Sequence, residues 1–359
     1  MTRPYLSLSN VRKLYGAVTA VDHISLDVEK GEFITFLGPS GSGKTTTLTM
    51  IAGFEEPTEG QILLNGKDLT ALRPWQRNIG MVFQSYALFP HMTVAQNVAF
   101  PLKMRRRARS EIDARVAKVL DLVGLGGYGG RHPRELSGGQ QQRVAVARGL
   151  VFNPDVLLLD EPLGALDKNL REQMQVELKR IHREIGTTMI YVTHDQTEAM
   201  TMSDRIAVFN RGRLEQVGAP LDVYHRPRTR FVGEFVGDSN FLTGRADQRA
   251  GTVFVDGIGP IRVEPQRLAD LGPAEACDMM VRPERLRVVD GRPPADANTF
   301  DVTISAIVNY GDSALAIGTA RNLPIRIRVA SEALSMLDEG SSVTVALAPR
   351  DIHILPRRS

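Results

Sequence analysis

Cysteine is all but missing from this chain: Cys277 is the only one in 359 residues. One thiol cannot close a disulfide framework or build a cysteine-based metal site within a chain, which fits a reducing compartment. Long apolar runs are missing too. No stretch approaches the ~20 residues that a membrane-crossing helix needs. The opening MTRPYLSLSNV has none of the apolar core of a signal peptide. Any service to a membrane is therefore expected to run through a partner. Surplus charge is equally scarce. Against 44 Lys and Arg stand 41 Asp and Glu, a net +3, which does not call for a polyanionic partner. The one strong basic cluster, KMRRRARS (Lys103 to Ser110), reads as a solvated helix start rather than a membrane or nucleic-acid patch. No tandem repeat or low-complexity tract is visible.

What is present is an ordinary globular composition, 42% hydrophobic and 24% charged, at a length that suits two domains. Strand-like and helix-like segments alternate through the first two thirds. EFITFL (Glu32 to Leu37), DVLLLDEP (Asp155 to Pro162) and TMIYVTHD (Thr188 to Asp195) are short apolar runs ending in polar residues, the pattern of buried strands. Between them lie helix-period patterns: Ile112, Val116, Val119, Leu120 and Val123 on one face, then Met174, Leu178, Ile181 and Ile185 on another. The expected fold is α/β with a mainly parallel sheet. After about residue 240 a period of two takes over, as in Val302, Ile304 and Ala306, then Ile325, Ile327 and Val329. This predicts a small all-β barrel or sandwich. The expected domains are residues 1–240, with a helical subdomain at about 86–150, and residues 241–359.

GPSGSGKT (Gly38 to Thr45) satisfies G-x-x-x-x-G-K-[ST] between a predicted strand and a predicted helix. Its glycines let backbone N–H groups close on phosphate oxygens. Lys44 adds a point charge for the β- and γ-phosphates, and the Thr45 hydroxyl can ligate Mg²⁺. Asp160 and Glu161 end an apolar strand, where a carboxylate can anchor the metal and its neighbour can polarise water. His194 and Gln84 each follow another apolar strand. LSGGQQQR (Leu136 to Arg143) offers a second anion-ready turn far downstream of the first.

The ordered set GPSGSGKT, IGMVFQ, LSGGQQQR, VLLLDEP, GALD and YVTHD resembles the nucleotide-binding subunit of ATP-binding-cassette (ABC) transporters. The resemblance implies that Gly38, Ser40, Gly41, Gly43, Lys44, Thr45 and Thr46 hold ATP, with Thr45, Gln84 and Asp160 serving Mg²⁺. It implies Glu161 as catalytic base, His194 as switch histidine and Gln84 as the Q-loop residue. Tyr15 resembles the aromatic that stacks on adenine, the alternative being a strand-end tyrosine packed on its sheet. Ser137, Gly138, Gly139, Gln140 and Asp167 are implied to act on nucleotide bound by an opposite subunit, which calls for a homodimer or a dimer with a paralogue. Where many relatives carry serine, this chain has Gly164, which puts one cross-interface hydrogen bond in doubt.

The same resemblance implies permease subunits docking on Gln84 to Phe100, an extracytoplasmic solute-binding protein reached through the complex, and a peripheral place on the cytoplasmic face of the inner membrane. Tyr86, Leu88 and Phe89 can instead pack the helical subdomain. VRPERLRV (Val281 to Val288) resembles the start of the oligonucleotide-binding-like accessory domain of importer ATPases. No nucleic-acid partner is expected, because that segment lacks closely spaced aromatics. FVGEFVGDSNFLTG and ALDKNLREQMQVELKRIH look most like spermidine/putrescine-type ATPases. Ferric iron, sulfate, phosphonate or sugar import, or a soluble cassette ATPase, are the alternatives.

Overall fold

The computed structural model describes residues 4–269, 271–272, 275–289 and 291–357. It divides at Val223/Tyr224 into two units. The first begins with an antiparallel sheet in the order β2 (Val18–Val28), β1 (Leu6–Tyr15), β4 (Glu59–Leu64), β5 (Lys67–Asp68). This sheet was not legible as a separate layer in the sequence. β1 and β2 are interrupted by register shifts, which blur a period of two.

A second sheet carries the chemistry. Its order is β10 (Arg213–Gly218), β9 (Arg205–Asn210), β3 (Phe33–Leu37), β8 (Thr188–Thr193), β7 (Val156–Asp160), β6 (Ile79–Val82). All neighbours are parallel except β9 and β10. Alternate residues of each strand enter different cores. Phe33, Leu157, Leu159, Met189 and Tyr191 face one layer. Ile34, Phe36, Leu158, Ile190 and Val192 face the other. Burial on both faces explains why these strands read as continuous apolar runs rather than alternating ones.

Helices α1 (Lys44–Ala52), α2 (Val94–Met104), α3 (Arg109–Leu122), α4 (Gly138–Leu150), α5 (Lys168–Ile185) and α6 (Gln196–Met202) complete the unit. The anticipated stripe of α3 is buried, as are Met174, Leu178 and Ile181 of α5. Ile185 departs from the expectation and is exposed. It is the last helical residue, before Gly186 turns the chain in the left-handed region.

In the second unit Asn240–Asp247 is the first strand of a five-stranded antiparallel sheet, and Asn298–Asn309 lies at the centre of a second. Both sheets feed one core. The alternation breaks at Ala306 because the ladder slips between Ile304 and Ala306, a bulge that turns the next side chains. The texture change near 240 marks the first strand, whereas the division of the chain falls earlier. Buried Arg282 explains why: it donates to the carbonyls of Gly233 and Asp238 and to that of Tyr224, tying 224–240 to the strands that follow.

Candidate nucleotide site

The parallel sheet gathers the site at the C-terminal ends of β3, β6, β7 and β8. Leu37 pairs with Thr193 and Asp160 with Val192, so Gly38, Glu161 and His194 follow at one level. This edge is where ligands bind in open α/β sheets.

After β3 the chain must turn sharply under packed backbone. A Cβ on Gly38 would lie 2.3 Å from the Phe209 carbonyl oxygen, and one on Gly43, whose φ is 97°, would lie 2.7 Å from that of Ala20. Only glycine fits either position. Gly43 leads into α1 with no side-chain cap, so the first N–H groups of the helix remain available to an anion. Lys44 is 4% exposed. Its Nζ donates to the carbonyls of Gly38 and Pro39 at 2.8 and 2.9 Å. Burial holds its ammonium below the ordinary lysine value, opposed by the carboxylates of Glu161 and Asp160.

The Thr45 hydroxyl donates to Asp160 Oδ1 at 3.1 Å. Burial raises the Asp160 carboxyl, and Glu161 adds to the rise, while the Thr45 bond and Lys44 oppose it. Glu161 sits at φ 43°, in the sparsely populated left-handed region. Its N–H donates to Val192 O at 3.0 Å and its carbonyl accepts from Gly164 N. So placed, its side chain receives two neighbours, His194 Nδ1 at 3.2 Å on Oε1 and Gln84 Nε2 at 3.4 Å on Oε2. The carboxylate accepts, so Nδ1 carries the hydrogen. Three residues separated by 77 and 33 positions thus share one carboxylate.

Other anticipated residues lie elsewhere or are already engaged. Tyr15 ends β1, 47% exposed, with Lys13 Nζ 5.0 Å from its ring centroid. Its ring is thus half-exposed at the end of the strand, with the Lys13 ammonium over it. Ser137 caps α4, its Oγ accepting from Gln140 N at 3.4 Å while Gln140 Oε1 accepts from Ser137 N at 3.0 Å. Gln140 therefore has a local partner that its motif did not reveal. Asp167 caps α5 by accepting from Leu170 N. Among the described residues no hydrogen bond or ion pair joins Ser137–Gln140 to Lys44, Thr45, Asp160, Glu161 or His194.

Residues absent from the motifs hold these loops in place. Arg148 donates to the carbonyls of Tyr86 and Ala87 at 2.7 Å each, and both residues have positive φ. Buried Asn97 bonds Phe89 through its N–H and its carbonyl. Tyr86 is buried and Leu88 and Phe89 are half-buried, so this stretch packs the helical subdomain. Asparagine and arginine that serve backbone carbonyls leave no periodic signal, which is why the sequence hid them.

Comparisons with known proteins identify the family. The ABC transporter family model matches residues 21–164 and a TOBE domain model matches residues 279–355. The chain is 50% identical to the spermidine/putrescine import ATP-binding protein PotA of Thermobifida fusca, over 98% of this chain and 94% of that protein. It belongs to the ATP-binding subunits of ABC transporters. The PotA protein of Pseudomonas aeruginosa strain UCBPP-PA14 is also 50% identical, over 90% of this chain and 89% of its own length.

Among solved structures, the ABC cassette here is similar to a dimeric post-hydrolysis ATP-binding cassette bound to ADP and Pi. The TM-score is 0.53 at 34% identity, over 60% of this chain and 98% of that one. A dimeric bacterial ABC transporter cassette gives 0.54 at 35% identity, with the same coverage. ABC cassettes dimerise and bind adenine nucleotides, and this chain is an ABC ATPase with an α/β P-loop cassette and a C-terminal β-rich TOBE domain. Among the described residues no helix is long and apolar enough to cross a membrane.

Proposed function

We propose that this ABC ATPase hydrolyses ATP at the interface of two chains to energise polyamine import through a membrane permease, from the cytoplasmic face of the inner membrane. The observation carrying the chemistry is the convergence of Gln84, Glu161 and His194 beside a glycine cradle, with no hydrogen bond among the described residues joining Ser137 to its own phosphate loop. Polyamine as substrate rests on 50% identity along nearly the whole chain to a protein named for spermidine/putrescine import.

The backbone of Gly38–Thr45 and the Lys44 ammonium would cradle the phosphates, and Tyr15 would stack on the base. Magnesium fits the donors present: a hydroxyl and a carboxylate 3.1 Å apart are hard oxygen ligands. Among the described residues no three His, Cys, Asp or Glu side chains gather to hold an ion, so a metal here would depend on substrate phosphates as well. Bound, it would neutralise charge on the phosphate oxygens. Glu161 Oε1 and Oε2 are positioned to accept a proton from water. His194 orients that carboxylate from one side and Gln84 from the other. Ser137 and Gly138, exposed at the start of α4, would meet the nucleotide of the other chain together with the N–H of Gly139. One phosphate loop and one signature per chain then give two shared sites in a two-fold dimer. The Gln84–Phe100 stretch would carry closure to the permease. Phe54 and Phe83, exposed with ring centroids 6.0 Å apart, offer it apolar contact.

Purification with the membrane partners and reconstitution into liposomes tests this. ATP should drive spermidine uptake, and Lys44→Ala should abolish it. Uptake of another solute instead would overturn the substrate, and an absence of any multi-span partner would overturn the transport role.

A further inference from the structure

Arg171 lies one turn into α5, its N–H donating to Asp167 O at 2.9 Å. Its side chain folds back over the loop it has just left. Nη2 donates to the Leu166 carbonyl at 3.0 Å, Nη1 reaches Asp195 Oδ2 at 3.5 Å, and Nε stands 3.8 Å from Glu198 Oε1. A planar guanidinium can serve three directions at once where an ammonium cannot.

Each contact leads to a different part of the site. Asp195 follows His194 and caps α6, its Oδ1 accepting from the N–H groups of Thr197 and Glu198 at 2.7 and 3.1 Å. Glu198 is 3% exposed, and its Oε2 accepts from Tyr191 and Thr193 on β8 at 2.7 and 2.6 Å. Its other oxygen faces Arg171 Nε at 3.8 Å, an ion pair without a hydrogen bond. On the opposite side, a Cβ at Gly138 would lie 3.3 Å from Leu166 Cδ2, and one at Gly139 only 3.0 Å from Leu170 Cδ1. The side chains of Leu166, whose carbonyl Arg171 holds, and of Leu170, its neighbour in sequence, thus lie against the signature turn with little room for a Cβ there, while the guanidinium reaches the His194 turn.

We infer that Arg171 is a positioning residue that couples the signature turn of each chain to its own His194 turn through Leu166 and Asp195. This rests on the proposed function and deepens it. The half-site a chain uses and the half-site it lends to its partner would then shift together, making the two sites of a dimer respond to one another.

Steady-state hydrolysis by the full chain, with ATP and Mg²⁺, tests the coupling. Arg171→Met should lower kcat by about three- to thirty-fold, the range for loss of one coupling element. KM should stay within about twofold because, among the described residues, no hydrogen bond or ion pair joins Arg171 to the phosphate loop, and the Hill coefficient should fall toward one. Arg171→Lys should recover part of both. Asp195→Asn, which keeps the helix cap, should reproduce the loss and add little when combined with Arg171→Met. A folded Arg171→Met chain with wild-type kcat and Hill coefficient overturns the coupling. If that variant fails to melt cooperatively, wild-type kinetics in Asp195→Asn overturn it instead. Equal hydrolysis by wild type and Glu161→Gln would bring down the proposed function itself, whereas neutrality at Arg171 alone brings down only the coupling.

Discussion

Gly38–Lys44 and Ser137–Gly139 each lead a glycine-bearing turn into a helix, α1 in one case and α4 in the other. The first is enclosed: Lys44 is buried, its ammonium satisfied by loop carbonyls, with Thr45, Asp160 and Glu161 beside it. The second is open. Ser137 and Gly138 are exposed, and among the described residues the polar atoms of Ser137 are met by the adjacent turn of α4. An enclosed loop pre-organises its donors at the cost of tight packing, while an open cap stays free for a second molecule. On the proposed function, the same local device would serve one ligand from two chains.

That contrast can be broken most severely at the centre of the enclosed half. Glu161→Gln should reduce hydrolysis by about 10²- to 10⁴-fold, the range for losing a general base, with nucleotide binding retained. Single-turnover kinetics and gel filtration with ATP should show slow chemistry and a persistent dimer. On the open half, Ser137→Arg should silence hydrolysis while costing no more than about 2 kcal/mol of stability, the upper value for a lost N-cap. Mixed with Lys44→Ala chains it should regain part of the activity, because both lesions fall in one of the two shared sites. Heterodimers with no recovery would count against sharing.

The glycine of the enclosed loop should behave in the opposite way. Gly43→Ala forces a Cβ against the Ala20 carbonyl at positive φ and should cost about 2–4 kcal/mol in denaturant unfolding. A subtler effect belongs to Asp160. Burial raises its pKa in the folded chain above 3.8, so its ionised form costs stability at neutral pH. Below pH 3.8 both folded and unfolded chains hold the proton and the cost is gone. Asp160→Asn should therefore raise the melting temperature at neutral pH and lose that gain in acid, even as hydrolysis fails. The smallest change is expected at the rim: Tyr15→Ala should weaken ATP binding about tenfold, the scale of one aromatic stack, and Tyr15→Phe should leave titration calorimetry unchanged within about twofold.

Much of this was legible in advance. The apolar runs before Gly38, Asp160 and His194 mark strands buried on both faces, the run before Gln84 an edge strand buried on one, and their exits mark the edge where ligands bind. Less legible were contacts made by one side chain on distant backbone. Arg148 on the Tyr86 and Ala87 carbonyls, Asn97 on Phe89, and Arg171 on Leu166 have no period and no fixed spacing from the groups they hold. Composition could not say which apolar residues of the Gln84–Phe100 stretch are covered: Tyr86 is buried and Leu88 half-buried, while Phe83 just before them is exposed.

Sequence by itself determined the cassette, its phosphate loop and the residue types of the site, because strand burial and turn chemistry are local and leave a pattern in neighbouring residues. Only the tertiary structure decided that Gln84, Glu161 and His194 meet on one carboxylate. It alone revealed Gln140 closing the Ser137 cap and Arg171 standing between two loops. Hydrogen bonds across 24, 33 or 77 residues depend on the order in which strands pair, and that order follows from how both faces of the sheet are covered.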